Sequence, residues 1–199
     1  IFDEWGNTRG DFALSDIFGV HAIGTHEGHI KVSAPTWEVY DHHSYLRIDP
    51  QLRETVYGPK IGEGSEKTPR HKIYDGFNQT DILPFGGRLE NVLVDSDCTP
   101  LMTFIPAFPI FPPEFSWIRE PGQKKPVAIS KTTKQGGRAI YLAADIDRCF
   151  RRDNFPDHGN LLINLTRWVS EDTLPIKIEG PGLIDCQIYK QDNRLVIHL

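Results

Sequence analysis

RAIYLAADIDRCFRRDNFPDHGNLLINLTRWV, residues 138–169, decides the fold class because it joins a strand pattern to a helix pattern. Residues 138–143 are a nearly continuous apolar run, which is typical of a strand covered on both faces in a parallel α/β sheet. The helix pattern begins at Pro156, and we place Asp157 at its N-cap. Its apolar face consists of Leu161, Leu162, Leu165, Trp168 and Val169. The stretch predicts an α/β domain.

The segments upstream of this stretch add further elements. Residues 126–130 and 138–143 are apolar runs joined by KTTKQGG, which predicts a β-hairpin. Residues 11–18 show helical spacing, and Gly19 follows where a left-handed C-cap would lie. Strands are predicted within residues 36–48 and 88–97, and residues 58–70 have the composition of an exposed loop.

The C-terminal segment changes to a period of two. Apolar side chains alternate with polar ones at Ile184, Cys186, Ile188, Leu195 and Ile197. The QDN turn at 191–193 between them predicts a second hairpin. We therefore divide the chain into an α/β domain, residues 1–174, and the start of an all-β module, residues 175–199. The opening IFDEWG and the closing RLVIHL lead us to interpret the chain as a piece of a longer polypeptide.

Composition and charge argue against nucleic acids and membranes as partners. The 199 residues carry a net charge of −5, which offers no general attraction to nucleic acid or to anionic lipid. No apolar run approaches the roughly 18 to 20 residues that cross a bilayer. The three cysteines, Cys98, Cys149 and Cys186, are widely spaced and form no CxxC pair, so we expect reduced thiols and a cytoplasmic location.

The densest group of chemically active side chains is Asp145, Asp147, Asp157 and His158. One interpretation makes these residues a general acid/base set or an oxygen-rich metal site. The other makes the carboxylates caps of helices and turns that pair with neighbouring arginines. The spacing matches no known metal motif, so we favour the structural interpretation and expect neither metal nor cofactor.

A second candidate is the aromatic and proline-rich stretch TFIPAFPIFPPEFSW, residues 103–117. Proline excludes a helix or a central strand here, which predicts a rigid extended loop. Its proposed contact residues are Phe108, Phe111, Phe115 and Trp117. They could dock on another protein surface, fold back over the sheet of their own domain, or stack on a sugar ring.

Three segments carry a resemblance to a known family: DEWGNTRGDFALSDIFGV at 3–20, residues 136–168, and IEGPGLIDCQIYKQDNRLVIHL at 178–199. They resemble the middle region of bacterial β-galactosidase-like glycoside hydrolases. In that family a TIM barrel is followed by a class I glutamine amidotransferase-like α/β domain, called the trimerisation domain, and then by a small β-sandwich. The resemblance implies a flavodoxin-like fold with helices on both faces, whose first strand–helix units would precede Ile1.

The resemblance also implies a function. In the family the catalytic carboxylates lie on the barrel, so this chain would supply a non-catalytic oligomerisation scaffold and no catalytic residue. The expected partners are neighbouring domains of the same polypeptide and identical subunits in a trimer. Two alternatives remain: an independent hydrolase that uses Asp145, Asp147, Asp157 and His158, or a carbohydrate-binding module that uses exposed aromatic side chains.

Overall fold

The computed structural model describes residues 2–27, 44–48, 70–108, 112–115, 125–179 and 184–199. This part of the chain is a mixed α/β structure with mostly strands and few helices. Its elements are α1 (Ser15–Phe18), β1 (Val20–Glu27), β2 (Ser44–Ile48), β3 (Ile82–Phe85), β4 (Leu89–Val94), β5 (Thr99–Ile105), β6 (Pro126–Thr132), β7 (Arg138–Leu142), α2 (Ile146–Asp153), α3 (Pro156–Val169), β8 (Gln187–Gln191) and β9 (Arg194–His198). The predicted α/β class is confirmed at this level.

The main sheet has five strands in the order β3-β2-β5-β6-β7. β5 and β6 lie in its centre, and each has at least four consecutive buried residues, because both faces of these strands are covered. The largest fully buried side chains around the sheet are Phe85, Phe104, Leu46, Ile73, Leu89, Leu101 and Met102.

The predicted hairpin over residues 126–143 is confirmed, since β6 and β7 pair antiparallel from Ala128–Leu142 to Thr132–Arg138. The prediction that the strand at 138–143 belongs to a parallel pair is wrong for the described residues, whose strand pairs are all antiparallel. Residues 133–137 explain the result, because a parallel connection needs a crossover of roughly a dozen residues or more.

Helices cover both faces of the sheet near β7. Arg138 contacts Trp168 of α3, with its guanidinium 5.1 Å from the ring centroid. Tyr141 contacts Phe12 and Phe18, with ring centroids 5.5 and 5.8 Å apart. Residues 138 and 141 are separated by an odd number of positions, so their side chains point to opposite faces of the strand. α3 therefore lies on one face and the segment that contains α1 on the other.

The N-terminal helix ends as predicted but begins later. Gly19 adopts a left-handed φ of 62°, and its N–H donates to the Ser15 carbonyl, which confirms the cap. α1 begins only at Ser15. The predicted start at residue 11 is wrong because the Asp11 carboxylate accepts hydrogen bonds from the backbone N–H groups of Phe12 and Ala22, which holds the chain in a turn.

The predicted helix after Pro156 is confirmed as α3, but two of its details differ. Phe155 is the N-cap residue and Pro156 opens the first turn, so the placement of Asp157 as the cap is wrong. Asp157 lies in the first turn, where its charge complements the positive end of the helix. Val169 is 39% exposed, because the buried face turns through His158, Leu161 and Leu165 instead.

The aromatic and proline-rich stretch begins inside the sheet. β5 is a central strand and runs to Ile105, and Phe104 is 2% exposed. The exclusion of a central strand is therefore wrong for residues 103–105. Pro106 is the first proline of the stretch, so the three residues before it keep the N–H groups that a strand ladder requires.

Several predictions lie at the edge of the described residues. β2 confirms a strand for residues 44–48, whereas 36–43 and 58–69 lie outside the described part. Arg70 ends the predicted exposed loop, but its side chain is only 8% exposed and pairs with Asp81 at 2.7 Å. The assignment is wrong for Arg70 because its guanidinium also donates to the carbonyls of Phe77 and Thr80.

Two ribbons of two strands complete the architecture. β1 pairs antiparallel with β4, and a bridge from Leu89 to Ala144 connects this ribbon to the end of β7. β8 and β9 form the predicted C-terminal hairpin around Asp192 and Asn193.

The domain boundary at residue 174 stays a prediction. In the ranges given above, no helix combines the length and the apolar character needed to cross a membrane.

Candidate functional site

Asp145 and Asp147 line an open groove of about 560 Å³ between the start of β4 and the end of β7. Asp145 follows β7 and is the N-cap residue of α2, and Asp147 lies in the first turn of that helix. The other residues that line the groove are Arg88, Leu89, Glu90, Leu142, Ala143 and Ala144. The groove thus combines carboxylates with an apolar floor.

The Asp145 carboxylate is held by hydrogen bonds from the Arg88 backbone and from the Arg148 side chain. Its Oδ1 accepts from the Arg88 backbone N–H at 2.8 Å. Its Oδ2 accepts from Nε and Nη2 of Arg148, both at 2.6 Å. Charge-assisted bonds of this kind fix the orientation of a carboxylate. Asp145 therefore joins the start of β4 to the first turn of α2.

Gly87 makes this junction possible. A Cβ built at residue 87 would lie 2.6 Å from the Cys149 Sγ and from the Phe85 ring, and closer still to the Asp145 Oδ1. Only a residue without a side chain lets the backbone approach the carboxylate this closely. The Gly86-Gly87 pair, predicted only as the introduction to a strand, is thus part of the site.

Cys149 lies beneath Asp145, and its Sγ is 3.8 Å from Oδ1. Burial, and then the negative charge of Asp145, raise the pKa of the thiol to about 11. The thiolate is the reactive form of cysteine, so Cys149 is protonated and unreactive at neutral pH.

His158 occupies the interior and does not join the groove. It is 2% exposed, and its Nε2 donates to the Pro84 carbonyl at 2.8 Å. Its ring packs edge-on against Phe155 at a centroid distance of 5.2 Å. Asp157 and His158 are not among the residues that line the groove. The structure therefore brings Asp145 and Asp147 to one surface and places Asp157 and His158 elsewhere.

The four aromatic contact residues are described unequally. Phe108 stacks on Tyr45 of β2 with a centroid distance of 5.8 Å and an interplanar angle of 16°. This contact belongs to the alternative in which the loop folds back over its own sheet. Phe115 lies in a 3₁₀ turn at Pro113–Phe115, whereas Phe111 and Trp117 lie outside the described residues.

One charged cluster has no signal in the sequence patterns, and it consists of Asp11, His21, Asp95, Asp97 and Lys131. His21 contacts Asp11 and Asp95, and Lys131 contacts Asp95 and Asp97. The members come from four separate segments, and His21 and Asp95 are 74 positions apart. No local sequence motif could have predicted this cluster. Over the described residues, no group of three or more His, Cys, Asp and Glu side chains could hold a metal ion.

No family model, curated protein or solved structure matches the chain.

Asp145→Ala is expected to lower the free energy of unfolding by about 1–2 kcal/mol. The loss arises because the Arg88 N–H and the Arg148 guanidinium both lose their acceptor. Urea denaturation followed by circular dichroism measures the change. Asp147→Ala is the matched control, since Asp147 is exposed and lies in the same groove, and it should cost less than about 1 kcal/mol. Equal losses in the two variants would contradict the structural role of Asp145.

Proposed function

We propose that this chain is a non-catalytic docking and oligomerisation domain of a β-galactosidase-like glycoside hydrolase. In this proposal the chain positions neighbouring domains and identical subunits, and two carboxylates on a separate barrel hydrolyse the glycoside. The proposal combines the sequence resemblance with the distribution of apolar side chains on the surface.

The observation that carries the proposal is the apolar outer surface of the two ribbons. In β8–β9 the pairs Ile188–Ile197 and Lys190–Leu195 share one face. On this face Leu195 is 62% exposed and Ile197 is 46% exposed. An isolated two-stranded ribbon is marginally stable in water, so covering this face would stabilise the hairpin.

The β1–β4 ribbon has the same character. Leu93 is 61% exposed and Ile23 is 48% exposed, although the residues next to Leu93 in β4 and before Ile23 in β1 are buried or partly buried. Trp5, at the tip of the N-terminal turn, is 82% exposed. Large apolar and aromatic side chains of this kind contribute most of the binding energy in protein interfaces.

We further propose the amidotransferase-like, flavodoxin-like class for the α/β unit. Two features support this assignment. The strand that begins at residue 138 is followed by α2 and α3, and helices lie on both faces of β7. A doubly wound sheet would also require a strand parallel to β7, and an experimental structure that includes the flanking polypeptide tests for one.

The hydrolase alternative depends on the groove lined by Asp145 and Asp147. A panel of nitrophenyl glycosides and esters tests it with the purified chain. Turnover that is lost in both Asp145→Ala and Asp145→Asn, while both variants stay folded, would assign chemistry to the groove and overturn the scaffold proposal. Absence of turnover in a folded chain agrees with the proposal.

Leu195→Lys combined with Ile197→Lys is expected to weaken self-association of the chain at least tenfold. Each buried leucine or isoleucine contributes about 1.5–3 kcal/mol, which corresponds to a factor of roughly ten or more in the dissociation constant. Sedimentation velocity over a range of protein concentrations measures the change.

The control for this experiment is Gln135→Lys, in the exposed turn between β6 and β7. It adds a positive charge without removing apolar surface, and the association of this variant should match that of the unmodified chain. A chain that stays monomeric at every concentration, or a double variant that associates as the unmodified chain does, would contradict the oligomerisation proposal.

A further inference from the structure

We propose that Asp11, His21 and Asp95 form a pH-operated latch that holds the N-terminal segment, residues 11–18, against the sheet. None of these three residues lines the groove. Its members come from the turn before α1, from β1 and from the residue after β4.

The geometry of the imidazole is the first observation. Nδ1 of His21 lies 2.6 Å from Oδ2 of Asp11, and Nε2 lies 3.2 Å from Oδ1 of Asp95. A carboxylate only accepts hydrogen bonds, so each ring nitrogen must donate. A neutral imidazole has one N–H and the imidazolium has two. Both contacts can therefore form only when His21 is protonated.

Asp11 connects this proton to the N-terminal segment. Its Oδ1 accepts from the N–H of Phe12 at 2.7 Å and from the N–H of Ala22 at 2.9 Å. Phe12 and Phe18 then pack on Tyr141 of β7. The segment is thus held at one end by a charged cluster and along its length by aromatic contacts with the sheet.

The charges around His21 determine what deprotonation does. Lys131 of β6 lies 3.5 Å from Asp95 and 3.3 Å from Asp97, and Asp16 is the acidic residue of α1. The Cys98 thiol donates to the carbonyls of Phe18 and Gly19. Once His21 is neutral, the proton stays on Nδ1 in the shorter bond to Asp11, and the Nε2 lone pair faces the Asp95 carboxylate. The contact with Asp95 is lost, and the contact with Asp11 weakens because only its acceptor still carries a charge.

The direction of the pH dependence follows from the pKa shifts. Hydrogen bonds to Asp11 and then to Asp95 raise the pKa of His21 above its ordinary value of 6.5. The stabilisation is therefore complete below 6.5 and is lost as the pH rises through the folded-state pKa. The hydrogen bond from His21 lowers the pKa of Asp11 from 3.8 to about 2, so the contribution of Asp11 is present above 3.8 and is lost as the pH falls through about 2. Both contributions are complete between pH 3.8 and pH 6.5, and in this range the latch is closed.

The experiment is an NMR titration of the full chain between pH 5 and pH 9. Long-range ¹H–¹⁵N spectra report protonation of both His21 ring nitrogens, and amide hydrogen exchange reports opening of residues 12–19. After correction for intrinsic exchange, opening of these amides should increase about threefold as His21 loses its proton, a modest change because the groups are partly exposed. Amides of β5 should not follow this titration.

Two variants and one control complete the experiment. His21→Gln should remove the pH dependence of opening, and Asp11→Asn should shift the titration of His21 to lower pH. His198→Gln, in the C-terminal hairpin, should behave as the unmodified chain does. The proposal is overturned if His21 titrates at or below 6.5 in the unmodified chain, a measurement that requires no variant, or if opening of residues 12–19 does not follow that titration.

Discussion

Phe104→Ala is expected to lower the free energy of unfolding by about 3–5 kcal/mol. Phe104 is 2% exposed in the central strand β5, and its ring packs perpendicular to Phe85 at 6.2 Å. Removal of the ring leaves a cavity between the strands of the sheet and the elements that cover it. Urea denaturation should show a lower midpoint with an unchanged slope, and a thermal melt should fall by roughly 10 °C.

Phe108→Ala is the matched control, because Phe108 belongs to the same aromatic stretch and lies four positions further on. It is only partly buried and stacks on Tyr45, so its removal should cost about 1 kcal/mol. Similar losses for the two variants would contradict the division of this stretch into a core strand and a surface loop. A larger loss of unfolding free energy for Phe108→Ala than for Phe104→Ala would contradict this division as well.

Gly87→Ala is expected to cost about 3 kcal/mol, near the upper end of the range for overpacking. The new methyl group would overlap the Asp145 carboxylate, the Cys149 thiol and the Phe85 ring. The carboxylate cannot move aside without giving up its bonds to the Arg88 N–H and to Arg148. Equilibrium unfolding measures the loss, and faster reaction of Cys149 with a thiol reagent would report that the junction has opened.

Gly10→Ala tests whether this loss is specific to the junction. No atom lies within 4 Å of a Cβ built at residue 10, so the variant should unfold within about 0.5 kcal/mol of the unmodified chain. A stable Gly87→Ala variant with an unreactive Cys149 would show that the backbone does not need to approach Asp145 so closely.

The elements that sequence patterns predicted correctly are those whose causes are local. Gly19 ends α1 because only glycine adopts a left-handed φ at no steric cost. The short turn after β6 dictates a hairpin, and the alternating residues of β8 and β9 do the same. Sequence patterns did not predict α2, although Asp145 before it and Asn154 after it are residue types that favour helix ends.

The errors have non-local causes. β5 is missed because the prolines that follow it, from Pro106 onward, dominate the pattern, and its position between β2 and β6 depends on strands far away in the sequence. The sequence pattern places His158 with the acidic residues because it follows them in the chain. It turns inward instead, because the buried face of α3 meets Pro84 of β3.

By itself, the sequence determined the α/β class, the two hairpins, the cap at Gly19 and the long helix α3, since turn chemistry and side-chain periodicity act over a few residues. Only the tertiary structure decided the antiparallel order of the sheet, the junction of Gly87 with Asp145, and the latch at His21. The bonds in the last two join residues 57 and 74 positions apart, and no local pattern encodes a contact whose partner is brought near only when the whole sheet has assembled.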